Sequence, residues 1–357
     1  MEQKRELVCH YVSLGMRVTF AARIAGLKRS TYYYKPNGLP KGKQPTRQTF
    51  HNVTGFVDNE IVIKEIIDLI TPDFHDYGYQ IITILLKQKG YSINHKKVRR
   101  IMRDNQLLHP KNRRPFSIDK NYTTFSVPPL EKPFQTIEAD IKYVYIHGSR
   151  KNAYLLSFLC TFCRSNPTWS LEYTMQSHQV IELVRELLNH PLVKKYADST
   201  NMAIKIRTDN GPQFIAKKLA QTLELLKVKH EFIKPGTPEQ NGHIESFHST
   251  FTRLVCDRHI FEDLSQAKEI IGNFFFAYNN TRVMKAILYH PPTTFLKIWE
   301  TGAIGIKKDK NNKQIFFFRE KPALNLESGF PPEVLLGNDK NIKFENRVLT
   351  TREISPV

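Results

Sequence analysis

The chain has 357 residues, 40% hydrophobic and 11% aromatic, with 53 Lys and Arg against 34 Asp and Glu, a formal charge of +19. That composition excludes a disordered or fibrous protein, and a length well above the roughly 150 residues of one domain implies two or three. So large a basic excess points to a polyanionic partner, nucleic acid before an anionic membrane surface, and no apolar run approaches the roughly 18 residues of a membrane helix.

The start, Met1 to Arg5, lacks the apolar stretch of a signal peptide, so the expected location is the cytoplasm, without a membrane partner. Four cysteines cannot make a disulfide framework in a chain this long. Cys160 and Cys163 form a C-x-x-C within an apolar run, with no second pair. They are expected to be buried strand cysteines rather than zinc ligands.

Residues 1–130 hold 22 Lys and Arg against 10 Asp and Glu, which makes the first third the expected nucleic-acid grip. Val12 to Ala25 reads as a short helix ending near Gly26, and Ser30 to Lys35 as the start of another. Together they suggest a small helix-turn-helix with its linker over 1–48. A second helical set follows, Ile61 to Ile70, Tyr79 to Lys89 and Asn94 to Gln106, giving an expected DNA-binding domain over 55–115. In its last helix Lys96, Arg99, Arg100 and Arg103 recur at helical spacing, with Lys97 beside them, while Val98, Ile101 and Met102 face the other way. A basic face backed by an apolar one suits phosphates or groove edges. Residues 116–133, Ser/Thr-rich and then Pro-rich, read as a linker.

From 134 the pattern is strand (135–146), turn (147–149), strand (154–163), strand (168–173), helix (179–189), strand (203–208), helix (213–226), strand (230–233) and a helix from Thr237. Three strands in hairpin order followed by alternating helix and strand predict an α/β fold, a mixed sheet with flanking helices. Residues 301–357 read as a tail or small β extension, with a hairpin expected around Gly337 to Asp339.

Three acids are candidates for chemistry. Asp140 interrupts the first strand and shares a face with Glu138 and Lys142. Asp209 ends a strand and opens the turn Asp209-Asn210-Gly211-Pro212, at the sheet edge where α/β folds bind ligands. Glu245 follows after 35 intervening residues, expected about two turns into a helix capped at Thr237. A mid-strand Asp, a strand-end Asp and a helical Glu suit two divalent cations roughly 3.5–4 Å apart, which activate the attacking oxygen and stabilise the leaving one in phosphoryl transfer. Hard oxygen ligands favour Mg²⁺ or Mn²⁺.

Ala139-Asp140-Ile141, Arg207 to Phe214, Gly236 to Ser249, Tyr278 to Arg282 and Pro291-Pro292-Thr293 resemble the DDE integrase-core transposases of bacterial insertion sequences, of the second-open-reading-frame (OrfB) type. Retroviral integrases are more distantly similar. Tyr77-Gly78-Tyr79 and Asn94 to Met102 look like the helix-turn-helix that precedes such cores. The resemblance implies a ribonuclease-H-like core over 134–300 behind small all-α helix-turn-helix domains, with Asp140, Asp209 and Glu245 as the catalytic, metal-binding triad. It implies Mg-dependent cleavage of DNA by water, then strand transfer by the freed 3′-hydroxyl. Implied partners are element-end and target DNA, further copies of the chain in a synaptic complex, and a helix-turn-helix, coiled-coil protein from an upstream frame. A basic residue common seven places after the Glu is Thr252 here, so the expected DNA contact passes to Arg253. Gln80 and Lys142 replace a common Arg and Thr.

Three rivals are weighed. A tyrosine recombinase is mimicked by His147-Gly148-Ser149-Arg150 with Tyr154, which reads better as a hairpin turn. A ribonuclease H leaves the upstream helices unexplained. A catalytically inactive, domesticated DNA-binding regulator keeps every basic feature but gives no reason for the three acids.

Overall fold

A computed structural model describes residues 1–34, 45–109, 132–200, 203–234, 238–308 and 314–319. The chain divides into two compact units, Met1–Arg47 and Gln48–Val357.

The first unit holds α1 (Glu2–Ser13), α2 (Val18–Ile24) and α3 (Arg29–Tyr33) around Val8, Ala21 and Ala22. The expected continuous helix over Val12 to Ala25 is broken. Gly15 sits at φ 91°, its N–H donates to Val12 O at 3.0 Å, and Met16 N donates to Tyr11 O at 3.1 Å. This left-handed glycine stop ends α1 and lets α2 start in a new direction.

The second unit opens with β1 (Gln48–His51), β2 (Gly55–Asp58), α4 (Asn59–Ile70), α5 (Tyr79–Gln88), β3 (Tyr91–Ser92) and α6 (His95–Asp104). Val62, Ile66, Ile82, Leu86, Val98 and Met102 make its core, as the helical spacing predicts. Asn94 caps α6 by accepting from Lys97 N at 2.9 Å. The small antiparallel sheet β2-β1-β3 is an addition to the expected all-helical module, because strands of two to four residues are too short to show a period.

Next come β4 (Thr136–Ile146), β5 (Lys151–Cys160), β6 (Thr168–Glu172), α7 (Ser177–Asn189), α8 (Pro191–Thr200), β7 (Lys205–Thr208), α9 (Lys217–Leu225) and β8 (Lys229–Phe232). A 3-10 turn (Pro238–Asn241) leads into α10 (Gly242–Phe251), which continues as a π-helical turn (Thr252–Cys256). They are followed by α11 (Leu264–Asn280), α12 (Pro292–Glu300), β9 (Ile304–Lys308) and β10 (Gln314–Phe318). The five-stranded sheet has the order β6-β5-β4-β7-β8, with β5 alone reversed. This is the ribonuclease-H-like arrangement, a mixed sheet with helices on both faces. Ile137, Ala139, Leu156 and Phe158 pack with α7 and α9 on one face. Val144, Ile146, Leu155 and Leu159 pack with Phe247, Phe251 and Phe274 of α10 and α11 on the other. Alternation along β4 therefore turns Glu138 and Asp140 towards the α10 side.

Several sequence expectations need correction. β5 ends at Cys160, so Cys163 lies in the turn beyond it, though both thiols are buried. The helix expected from Gln213 begins at Lys217, since Gly211 to Ile215 forms a turn closed by Phe214 N on Gly211 O at 2.9 Å. α8 was unannounced. β9 and β10 form a hairpin whose Ile304 joins the α7 core and whose Phe316 packs against it; the hairpin expected near Gly337 lies outside the described residues. Among the described residues no helix is long and apolar enough to cross a membrane.

Candidate active site

The β4–β7 register pairs Thr136 with Lys205, Ile137 with Ile206 and Glu138 with Arg207. Carried two residues further, it sets Asp140 beside Asp209, the residue that follows β7. Adjacent strands run roughly 4.8 Å apart, so the two carboxylates leave neighbouring backbones at one level.

Helix α10 is fastened over them at two points. Ile244 N donates to Glu138 Oε2 at 2.8 Å, and His248 Nδ1 lies 3.3 Å from Asp140 Oδ2. His248 Nε2 is 3.4 Å from Ser157 Oγ, and Ser157 is the residue opposite Asp140 on β5. Glu245 stands between these anchors, exposed and in the first turn of α10. The expectation of two turns into a helix is thus corrected. Asn241 (φ −113°, ψ 26°), the last residue of the 3-10 turn, departs from α-helical backbone, so the turn and α10 are separate pieces meeting at Gly242; the cap expected at Thr237 lies outside the described residues.

Each acid meets a different environment. Asp209 Oδ1 accepts from Gly211 N at 3.0 Å, fixing the turn, and Asp140 Oδ1 accepts from Ile141 N at 2.8 Å. Glu138 is 1% exposed, and burial pushes its carboxyl up to about 7, against the pull of the Ile244 N–H and the Arg207 guanidinium. Arg207 lies 3.7 Å from Glu138 and 3.2 Å from Glu231, and it donates to Gln240 O at 3.2 Å, joining β4, β8 and the turn before α10. Among the described residues no three His, Cys, Asp or Glu side chains are gathered closely enough to hold one metal ion.

His248 escaped the sequence reading, although its place three residues after Glu245, on the same helical side, was the available signal. Of the expected DNA contacts, Lys96, Arg99 and Arg103 are exposed on α6, and Arg100 is half-buried. Arg99 lies 5.7 Å over the Tyr79 ring, and Arg103 pairs with Asp104 at 2.8 Å. Lys97 donates to Gln48 O at 2.5 Å, tying α6 to β1. Arg253 pairs with Asp76 inside the chain. His147 N donates to Phe261 O at 2.7 Å, so the segment that mimics a recombinase is a packed hairpin turn.

The integrase core domain family matches residues 131–238 and, in a second form, 226–292, and the HTH-like domain matches 57–115. The chain thus carries an integrase core domain behind an HTH-like domain. This integrase-core protein is similar to the insertion element IS476 39.2 kDa protein of Xanthomonas euvesicatoria, 24% identical over 284 residues, 79% of this chain and 72% of that one. It is also similar to the transposase for insertion sequence element IS904 of Lactococcus lactis, 26% identical over 249 residues, 68% of this chain and 95% of that one. Among solved structures, the HTLV-2 integrase catalytic core domain in complex with magnesium covers 46% of this chain at 16% identity with a TM-score of 0.32, too slight a likeness to carry an inference.

Proposed function

We propose that this integrase-core protein is an active transposase that cuts DNA at the ends of an insertion element and joins the freed 3′-hydroxyl to a second phosphodiester. The observation that carries the reading is the register of Asp140 with Asp209 beneath a helix, bearing Glu245, that is pinned to the same strand. Among the described residues neither aspartate is paired with a lysine or arginine. Neighbouring carboxylates left without a lysine or arginine partner favour an external cation.

The donor set is all hard oxygen, which fits Mg²⁺ or Mn²⁺, with Asp140, Asp209 and Glu245 as the residues that hold two ions. When bound, the ions polarise the scissile phosphate and lower the pKa of the attacking oxygen. The chain's own part is positional. Asp140 and Asp209 define one edge of the site from the sheet, His248 holds the Asp140 carboxylate in place, and Glu245, exposed in the first turn of α10, is the third acid of the reading. The basic face of α6 supplies phosphate contacts that hold the DNA, and further copies of the chain bridge the two element ends. An upstream-frame helix-turn-helix protein is a proposed additional partner.

The test mixes purified protein with labelled element-end DNA and Mg²⁺ or Mn²⁺, comparing wild type with Asp209→Asn and Glu245→Gln. Cleavage and strand transfer should disappear in both variants while DNA binding persists. Undiminished strand transfer by either removes that residue from the mechanism, and DNA binding without any cleavage by the wild type returns the chain to a DNA-binding regulator.

A further inference from the structure

The HTH-like module meets the helices of the core through the loop between α4 and α5, which contacts α11, the segment after it and the turn that continues α10. Phe74 sits at φ 63°, a left-handed backbone that is strained for a bulky residue. Its ring is buried among the α10 and α11 side chains, edge-on to Phe274 at 5.4 Å. Arg282, just after α11, donates to Phe74 O at 2.6 Å and to Asp76 Oδ1 at 2.9 Å. The same guanidinium lies 5.7 Å over the Tyr77 ring, and the Tyr77 hydroxyl accepts from Val283 N at 3.1 Å. The other oxygen of Asp76 faces Arg253, on the π-helical turn that continues α10. The Asp76 side chain, 3% exposed, is thus shared by two arginines from two elements of the core.

We propose that Asp76 is a positioning residue: through Arg253 and Arg282 it locks the module carrying α6 against the helix carrying Glu245, and so selects which phosphodiester of a gripped DNA reaches the Asp140–Asp209 edge. A planar guanidinium bonded to a backbone carbonyl and a carboxylate at once fixes direction as well as distance. Arg282 makes both bonds, and Arg253 on the other Asp76 oxygen ties the same loop to the end of α10. The selection of the cut position rests on the transposase reading; the lock itself does not.

The full chain is compared as wild type, Asp76→Asn, Asp76→Ala and Arg282→Lys, in two measurements. In the first, amide hydrogen exchange, Phe74 to Tyr79 should exchange faster in the Asp76 variants while the α9 amides keep wild-type protection. Unchanged exchange in the loop overturns the lock, and this readout needs no activity. In the second, the position of the cut on end-labelled element DNA is mapped at single-nucleotide resolution. The Asp76 variants should bind the duplex as wild type does, cut about 10²-fold more slowly, the cost of an ångström-scale misplacement, and spread the cut over neighbouring phosphodiesters. Arg282→Lys should be intermediate. A reduced yield at one unshifted position means that Asp76 serves only folding and overturns the proposal. If Asp76→Ala shows no cooperative melt, Asp76→Asn, which keeps the shape, supplies the same two readouts. A wild type that cuts nothing sinks the transposase reading and leaves the exchange measurement to decide the lock.

Discussion

Asp76 and the pair Asp140 and Asp209 are acids treated in opposite ways. The first is closed off from water and answered by two guanidinium groups, from Arg282 and Arg253. The second pair is left with an imidazole and two backbone N–H groups. A carboxylate that serves architecture is neutralised within the chain, because an unpaired buried charge costs several kcal/mol. Carboxylates set side by side without a lysine or arginine partner repel one another and keep their field for something brought from outside. Glu138 lies between these extremes, buried beside Asp140 and pinned to the α10 backbone, with Arg207 at 3.7 Å.

This contrast can be broken or sharpened by measurement. The largest effect is expected at Asp76: replacement by Ala strands two arginines, and chemical denaturation should show a loss of about 3–5 kcal/mol. Asp209→Asn should leave stability at wild-type level or slightly above it, since a repulsion is relieved, yet lower strand transfer more than about 100-fold, the scale for removing one charge-stabilising group. A stable Asp76→Ala together with an unfolded Asp209→Asn would reverse the two roles. His248→Gln, which removes the ring linking Asp140 to Ser157, should weaken the Mg²⁺ response about 10–100-fold, as loss of a residue orienting a ligand does, and titration of activity against Mg²⁺ reads it.

On α6, replacing Arg99, Arg100 and Arg103 by Ala should lower the salt dependence of DNA binding by about 0.9 unit of slope for each phosphate that the variant no longer neutralises. Lys97→Ala should leave that slope as it is, because its ammonium is spent on Gln48 O.

The smallest expected effect is on acid stability. Burial pushes His75 down to about 4, helped by the Arg282 charge, and burial alone does the same to His290. Their folded values lie below the ordinary 6.5, so the unfolded chain binds more protons between those limits. The stability they lend is complete above about pH 6.5 and is lost as the pH falls towards 4. Melting temperatures recorded from pH 7 to 4 should fall, and fall less steeply in His75→Asn. An identical slope in that variant would mean His75 is protonated in the fold.

The legible parts of this molecule were those written in local patterns. Val98, Ile101 and Met102 against Lys96, Arg99 and Arg103 announced both faces of α6, and alternation along β4 put Glu138 and Asp140 on one side of the sheet. The break at Gly15 was missed because a glycine inside a helical pattern is tolerated as often as it terminates. The start of α10 was misplaced because capping residues alone cannot tell a 3-10 turn from the helix that follows it. Arg253 was expected on DNA from its place after Glu245, and its partner Asp76 lies 177 positions upstream, beyond any local pattern.

By itself the sequence determined the basic charge of the chain, the kinds of acid available and the order of strands and helices, since composition, residue chemistry and short-range periodicity are properties of the chain read in line. Only the tertiary structure decided that Asp140 and Asp209 share a level, that His248 and Glu138 pin α10 over them, and that Asp76 is enclosed by two arginines. Those facts depend on strand register and on contacts between residues distant in the chain, and the free energy that sets them comes from burying both faces of the sheet at once.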